Sequence, residues 1–298
     1  MKTIILIGVT MMMGVSSYAQ QEYSFTQYFE ANSFYNPAAT GTDGTQNILL
    51  QFRKQWTGFE GSPITAGALY ENDLNAYHMG LGGFVYVDQI GQTTVTNVVA
   101  NYRYSVKFNE ELSMSFGLDA GTDIYSTDYD RLTYWETDQV FDNVRPTVAV
   151  PRAGTGVQLY SDNFYVGLSV PRLLTFNTSS SMSITASNLP SVVSNYYLSA
   201  GYEFPVGKDV EMTTNLLGKY THRIKPQVDI NAMATYREVI GLGIGYKSLA
   251  FVSFYMQYTY DKAVIIGYSF DLTTSKISNY SNGSHEILIK YQIPNKVR

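Results

Sequence analysis

The stretch AVIIGYSFDLTTSKISNYSNGSHEILIKYQI, residues 263–293, holds two runs in which every second side chain is apolar. In the first, Val264, Ile266, Tyr268 and Phe270 share one face and Ala263, Gly267, Ser269 and Asp271 the other, the two-residue period of a pleated strand. In the second, Ile287, Ile289, Tyr291 and Ile293 oppose Glu286, Lys290 and Gln292, and Leu288 alone breaks the pattern.

The other end of the chain reads as a secretory leader. Lys2, an apolar stretch over residues 4–15 and the small-x-small site Ser17-Tyr18-Ala19 predict cleavage before Gln20, so residues 1–19 are a signal peptide. The apolar stretch is shorter than the roughly 20 residues of a spanning helix, and no later run approaches that length. A membrane form of this chain therefore crosses as strands. Two-faced strands with lipid outside and water inside are the pattern of an outer-membrane β-barrel.

Composition agrees, with 26 Tyr and 15 Phe to supply interfacial girdles and few charges to bury. A large secreted soluble β-protein shares much of this profile, so composition alone does not separate the two. Without cysteine there is neither a disulfide framework nor a thiolate metal site. A net charge of -5, dispersed along the chain, does not suggest a nucleic-acid surface.

About fourteen antiparallel strands fit into residues 45–298, preceded by an N-terminal periplasmic segment or plug over 20–44. Among them are strands at 111–125, 153–161, 163–171, 193–205 and 227–237, and an even count returns both termini to the periplasmic side. Loop lengths sort by parity. Connections after even strands are short, whereas 126–152, 172–192 and 272–283 all follow odd strands and so face outward. The Ser-rich part, 175–188, has the composition of a mobile segment.

Charge is kept to one face. Leu112, Met114, Phe116 and Leu118 are backed by Ser113, Ser115, Gly117 and Asp119; Val228, Ile230, Ala232 and Ala234 by Gln227, Asp229, Asn231 and Arg237. Arg103, Lys107, Asp119, Glu203, Lys219, Asp229, Arg237, Asp271, Glu286 and Lys290 are accordingly assigned to the lumen, where they either line a polar path or fill it with salt bridges. On this assignment Ile266→Lys impairs assembly and Ser269→Lys does not.

Several blocks, in order, resemble the PorP/SprF membrane proteins of the type IX secretion system. They are Ser24-Phe25-Thr26-Gln27-Tyr28, Tyr35-Asn36-Pro37-Ala38, Arg53-Lys54-Gln55-Trp56, Gly80-Leu81-Gly82-Gly83, Gly167-Leu168-Ser169-Val170-Pro171-Arg172, Gly267-Tyr268-Ser269-Phe270-Asp271 and Gly283-Ser284-His285-Glu286. The resemblance spans essentially the whole mature chain. It implies a Bacteroidetes outer-membrane barrel, without cofactor, that assists export or surface attachment of a cargo protein, in some bacteria a gliding adhesin. Its implied partners are that cargo or adhesin, type IX secretion components and outer-membrane lipid. Phe29-Glu30-Ala31-Asn32 departs from the family's usual Met-Phe-Asn-Pro.

Two segments are candidates for partner binding. Arg53 and Trp56 form either a docking rim, the residue types that anchor interfaces, or a strand end with Trp56 in the girdle, Arg53 in the lumen and Lys54 at the headgroups. Tyr28, Tyr35, Asn36 and Pro37 belong to a segment that is a plug, a periplasmic binding element or a disordered tail.

Enzymatic readings are weak. Only His78, His222 and His285 are available as bases, and they are scattered. His285-Glu286 lacks the second histidine of a zinc-protease helix, because Ile289 stands there. No catalytic or metal-ligating residue is assigned. The sequence leaves an export accessory and a porin-like channel for small solutes as the two functional classes.

Overall fold

The computed structural model describes residues 25–128, 147–175, 194–222, 224–248 and 250–294. Fourteen strands occupy most of them: β1 Thr45–Lys54, β2 Ile64–Leu74, β3 Met79–Ile90, β4 Thr93–Lys107, β5 Ser113–Thr127, β6 Thr147–Tyr160 and β7 Phe164–Thr175. The second half comprises β8 Asn195–Val206, β9 Val210–Thr221, β10 Gln227–Tyr236, β11 Ile240–Lys247, β12 Phe251–Tyr260, β13 Val264–Thr273 and β14 Ser284–Pro294. Each strand pairs with its sequence neighbours, and β1 pairs antiparallel with β14, so the sheet closes into a barrel. No described helix is long and apolar enough to cross a membrane. The leader, residues 1–19, lies outside the described residues.

The outward face is the one the alternation predicts. Ile48, Leu50 and Phe52 of β1, Ile266 and Tyr268 of β13, and Ile287, Ile289 and Tyr291 of β14 are all exposed. A continuous apolar surface of this size is stable against hydrocarbon rather than water. The protein is an outer-membrane β-barrel. Turns after even-numbered strands are short, at residues 75–78, 108–112, 161–163, 207–209, 237–239 and 261–263, which marks their rim as periplasmic. β1 begins and β14 ends on that rim.

Some boundaries differ from the sequence expectation. β5 and β6 continue pairing as far as Ser126 and Thr147, so their connection shrinks from 126–152 to 128–146. Pro151 hid this extension. Among the described residues β6 above Arg152 has no partner on its β7 side, where a missing N–H costs little. β7 likewise runs on to Thr175 and β13 to Thr273. The Ser-rich stretch falls almost wholly on residues 176–193, outside the described ones.

Among the described residues, the inside of the barrel holds a core. Phe25, Tyr28, Phe34 and Tyr35, all from the segment before β1, are at most 2% exposed and pack with the inward-facing Leu49, Leu69, Phe84, Tyr86, Val99, Tyr197, Leu217 and Leu288. Each ring so buried contributes on the order of 1.5–3 kcal/mol. Leu288, the exception to the alternation, points inward because it has these rings to meet.

Candidate functional site

Residues 25–44 run down the lumen from its outer end to the periplasmic start of β1. Thr26 and Gln27 lie beside Arg53, Asp271 and Glu286, near the outer ends of β1, β13 and β14. The Tyr28 hydroxyl donates to the Asp229 carbonyl at 3.2 Å, and Phe29 packs edge-on against Tyr255. Lower down, the Ser169 hydroxyl donates to the Tyr35 carbonyl at 2.7 Å, the Ser115 hydroxyl to the Ala38 carbonyl at 2.7 Å, and the Gly41 N–H to Glu71 at 3.2 Å.

The local fold follows from the residues. Residues Tyr28–Phe34 form a short 3-10 run, and Asn36 caps a second turn, Pro37–Ala39, its side chain accepting from the Ala38 N–H at 3.0 Å. Asn at the cap and Pro at the first position suit that turn, since proline needs no donor there. The same Asn36 amide donates to the Val157 carbonyl at 3.3 Å, fixing the turn to the wall.

The wall is shaped to receive it. A Cβ at Gly117 would collide with the backbone of Pro37 and Ala38, and one at Gly267 with the side chain of Gln27. Neither glycine has an unusual φ to adopt. Both are needed because another chain approaches the strand closely.

A buried polar cluster holds the outer end. The Glu286 carboxylate accepts from the Thr26 N–H at 2.7 Å, the Gln27 N–H at 2.8 Å and the Gln51 amide at 2.8 Å. Arg53 Nη1 lies 2.6 Å from Asp271 and 3.4 Å from Glu286 and also donates to the Thr26 hydroxyl, while its guanidinium stands over the Phe251 ring at 5.3 Å. Asp271 further accepts from Thr26 at 2.8 Å and Ser253 at 2.7 Å. A carboxylate with no exposure is sustained by this many donors and an opposite charge. Four blocks far apart in sequence, around Thr26, Arg53, Asp271 and Glu286, thus meet at one place.

The other lumen charges are mostly paired as well. Arg103 binds Asp73 at 2.5 Å, Arg152 binds Asp119 at 3.3 Å, Lys247 binds Asp229 at 3.1 Å, and Lys290 binds Glu30 of the segment at 3.4 Å. Arg172 joins Asp123 at 2.7 Å and also bonds Tyr86 and Asn97. Lys219 faces inward over the Tyr197 ring at 6.0 Å. Lys107 and Glu203 have the lumen-facing register but are exposed towards the periplasmic rim. Arg237 does not line the lumen. β10 ends one residue earlier, and Arg237 sits in a tight turn with φ of 51°, paired in solvent with Asp209 at 2.9 Å.

The residues expected to contact a partner are mostly turned inward. Tyr28, Tyr35, Asn36, Pro37 and Arg53 are buried against this chain's own wall rather than presented at its surface. Trp56 is partly buried in the β1–β2 loop, its backbone N–H donating to the Ser284 hydroxyl at 3.1 Å. Outward-presented aromatics lie nearby instead: Phe59 is 46% exposed in that loop and Tyr280 72% exposed in the β13–β14 loop. Thr57 and Gly283, and Asn282 and Thr57, are joined by backbone hydrogen bonds of 2.8 Å, so the two loops form one surface. Among the described residues no His, Asp and Glu cluster has the makings of a metal site.

Sequence reasoning did not anticipate Thr26, Gln27, Gln51 and the inward apolar residues as a socket. The signal was present in the breaks of alternation at Leu49 and Leu288.

Solved structures with a similar fold are outer-membrane barrels. The CymD monoaromatic hydrocarbon channel is 13% identical, with a TM-score of 0.51 over 90% of this chain and 92% of its own. The Ralstonia pickettii toluene transporter TbuX is 11% identical, with a TM-score of 0.49 over 88% and 92%. The Acinetobacter baumannii outer membrane protein Omp33 is 9% identical, with a TM-score of 0.48 over 85% and 100%. Such identities speak for the fold alone. No curated protein matches the sequence. The family model for the type IX secretion system membrane protein PorP/SprF matches residues 17–291, nearly the whole chain, including every block that converges on Glu286. The chain belongs to the PorP/SprF family of type IX secretion system membrane proteins.

Proposed function

We propose that this barrel is a non-catalytic accessory of type IX secretion that assists the export or surface anchoring of a particular cargo protein, of the gliding-adhesin kind. The observation that carries the reading is the filled lumen. A pore needs a continuous wet path, and here residues 25–44 bond to the wall from β1 and β14 across to β10 and down to β5 and β2. A space beside Tyr35, Tyr197, Leu217, Lys219 and Asp229 measures about 20 Å³, room for about one water. With the inside occupied, partners are left the rims and outer loops. Phe59 and Tyr280 on the joined loops have the character of interface anchors.

Crosslinking in native outer membranes followed by affinity purification tests this. Stable recovery of one large surface protein, lost when the 128–146 connection is shortened, supports the accessory role. A steady ion conductance from the purified barrel, with no such companion, sinks it in favour of a channel.

A further inference from the structure

We propose that the N-terminal segment is the latch on which the barrel closes: it docks on the unclosed sheet, and β1 and β14 then pair across it. The inward faces of these two strands complement each other only at their outer ends, where Arg53 stands opposite Glu286 at 3.4 Å and Gln51 bonds the same carboxylate. At the seam Leu49 stands opposite Lys290 and Gln51 opposite Leu288, an apolar side chain facing a polar one each time. Cross-strand pairs of this kind give each other little. Their partners are in the segment. Lys290 meets Glu30 at 3.4 Å, while Leu49 and Leu288 pack in the cluster of Phe25 and Phe34. Gln51 and Arg53 of β1 and the Thr26 and Gln27 N–H groups all converge on Glu286 of β14. The segment therefore adds, at Leu49, Leu288 and Lys290, the complementarity that the two edges lack there.

Direction strengthens the inference. Phe25 lies at the outer end of the lumen, whereas Gly44 leads into the periplasmic start of β1, so the segment traverses the bore before the first strand begins. In the closed barrel the segment's backbone and side chains lie so tightly on the wall that a methyl group at Gly117 would meet Pro37 and Ala38 and one at Gly267 would meet Gln27. On an open sheet the segment settles directly into place.

The chain has no cysteine, so reporters can be introduced singly. Ser33→Cys, 3% exposed in the segment, reports docking by its protection from maleimide. The outward-facing, directly opposed pair Leu50→Cys with Ile289→Cys reports closure by forming a disulfide when copper phenanthroline and oxygen are supplied as oxidant. Both are followed during refolding of the full chain into lipid vesicles. Ser33→Cys is expected to be protected before or together with disulfide formation. Glu286→Gln, in the closure-reporter background, is expected to slow the disulfide about tenfold, as for a contact already made in the rate-limiting step. A disulfide that forms while Ser33→Cys still reacts fully overturns the proposal, as does closure of Glu286→Gln at the unsubstituted rate. The order of the two reporters decides the matter even if Glu286→Gln fails to fold.

Discussion

The Thr26 N–H donates to the Glu286 carboxylate at 2.7 Å across a sequence separation of 260 residues, so the segment before the first strand is bonded to the last. That bond lies in a cluster holding Arg53 and Asp271, none of whose charged side chains reaches solvent. Its members stand or fall together.

Glu286→Ala should therefore cost about 3–5 kcal/mol, because it leaves Arg53 less compensated and strips two segment N–H groups of their acceptor. Heat-modifiable migration on gels reads the loss as a lower unfolding temperature. The double variant Arg53→Met with Glu286→Ala should recover part of it, since the orphaned charge is gone. Strict additivity would show that the two residues are not coupled.

Phe34 packs against Phe84 at 4.8 Å, Phe25 at 5.5 Å and Tyr86 at 6.4 Å between ring centres. Phe34→Ala should destabilise the folded barrel by about 3 kcal/mol or more, as for other buried aromatic truncations. An unchanged thermal transition in detergent would mean that the segment is not part of the cooperative core.

Gly117→Val places side-chain atoms where Pro37 and Ala38 now sit, and should loosen the lower half of the segment. In planar bilayers the unsubstituted protein is expected to be nearly silent and the variant to conduct. Equal conductance in both would contradict a filled lumen.

Ile266→Lys puts a charge on the hydrocarbon-facing side, at a cost of about 2–4 kcal/mol near mid-membrane, and should reduce assembly. Ser269→Lys, innocuous if the lumen were wet, should now fail as well, because Ser269 is completely buried. A rim change is the better control. Arg237→Ala breaks a solvent-exposed pair with Asp209 and a contact over the Tyr236 ring, and should alter stability by only about 1 kcal/mol.

Phe59→Ser with Tyr280→Ser removes the two aromatic side chains from the joined outer loops without touching the core. Recovery of a crosslinked surface partner should fall about tenfold, the worth of one modest anchor, at an unchanged unfolding temperature. Full recovery would move the contact elsewhere on the protein.

The barrel was legible because lipid and lumen impose opposite chemistries on alternate residues, as at Ile287 and Glu286, and a single sequence records that period directly. The parity of loop lengths then set its orientation. The plug was harder to read. Its contacts join Thr26 to Glu286 and Tyr28 to Asp229, and no local period encodes such distant pairings. Inward apolar residues such as Leu288 look like noise until the segment that covers them is placed. Arg237 was misassigned because strand parity says nothing about where a strand stops, and a left-handed turn begins there.

The bonding between strands β1 and β14 does not stop where β1 ends, since Thr57 continues it with Gly283 and Asn282, and Trp56 with Ser284. A cylinder rolled from one ribbon is ordinarily weakest along the line where its two edges are joined. Here that line is riveted from within and stitched above, so a tug on these loops from outside the cell is spread over both ends of the chain at once.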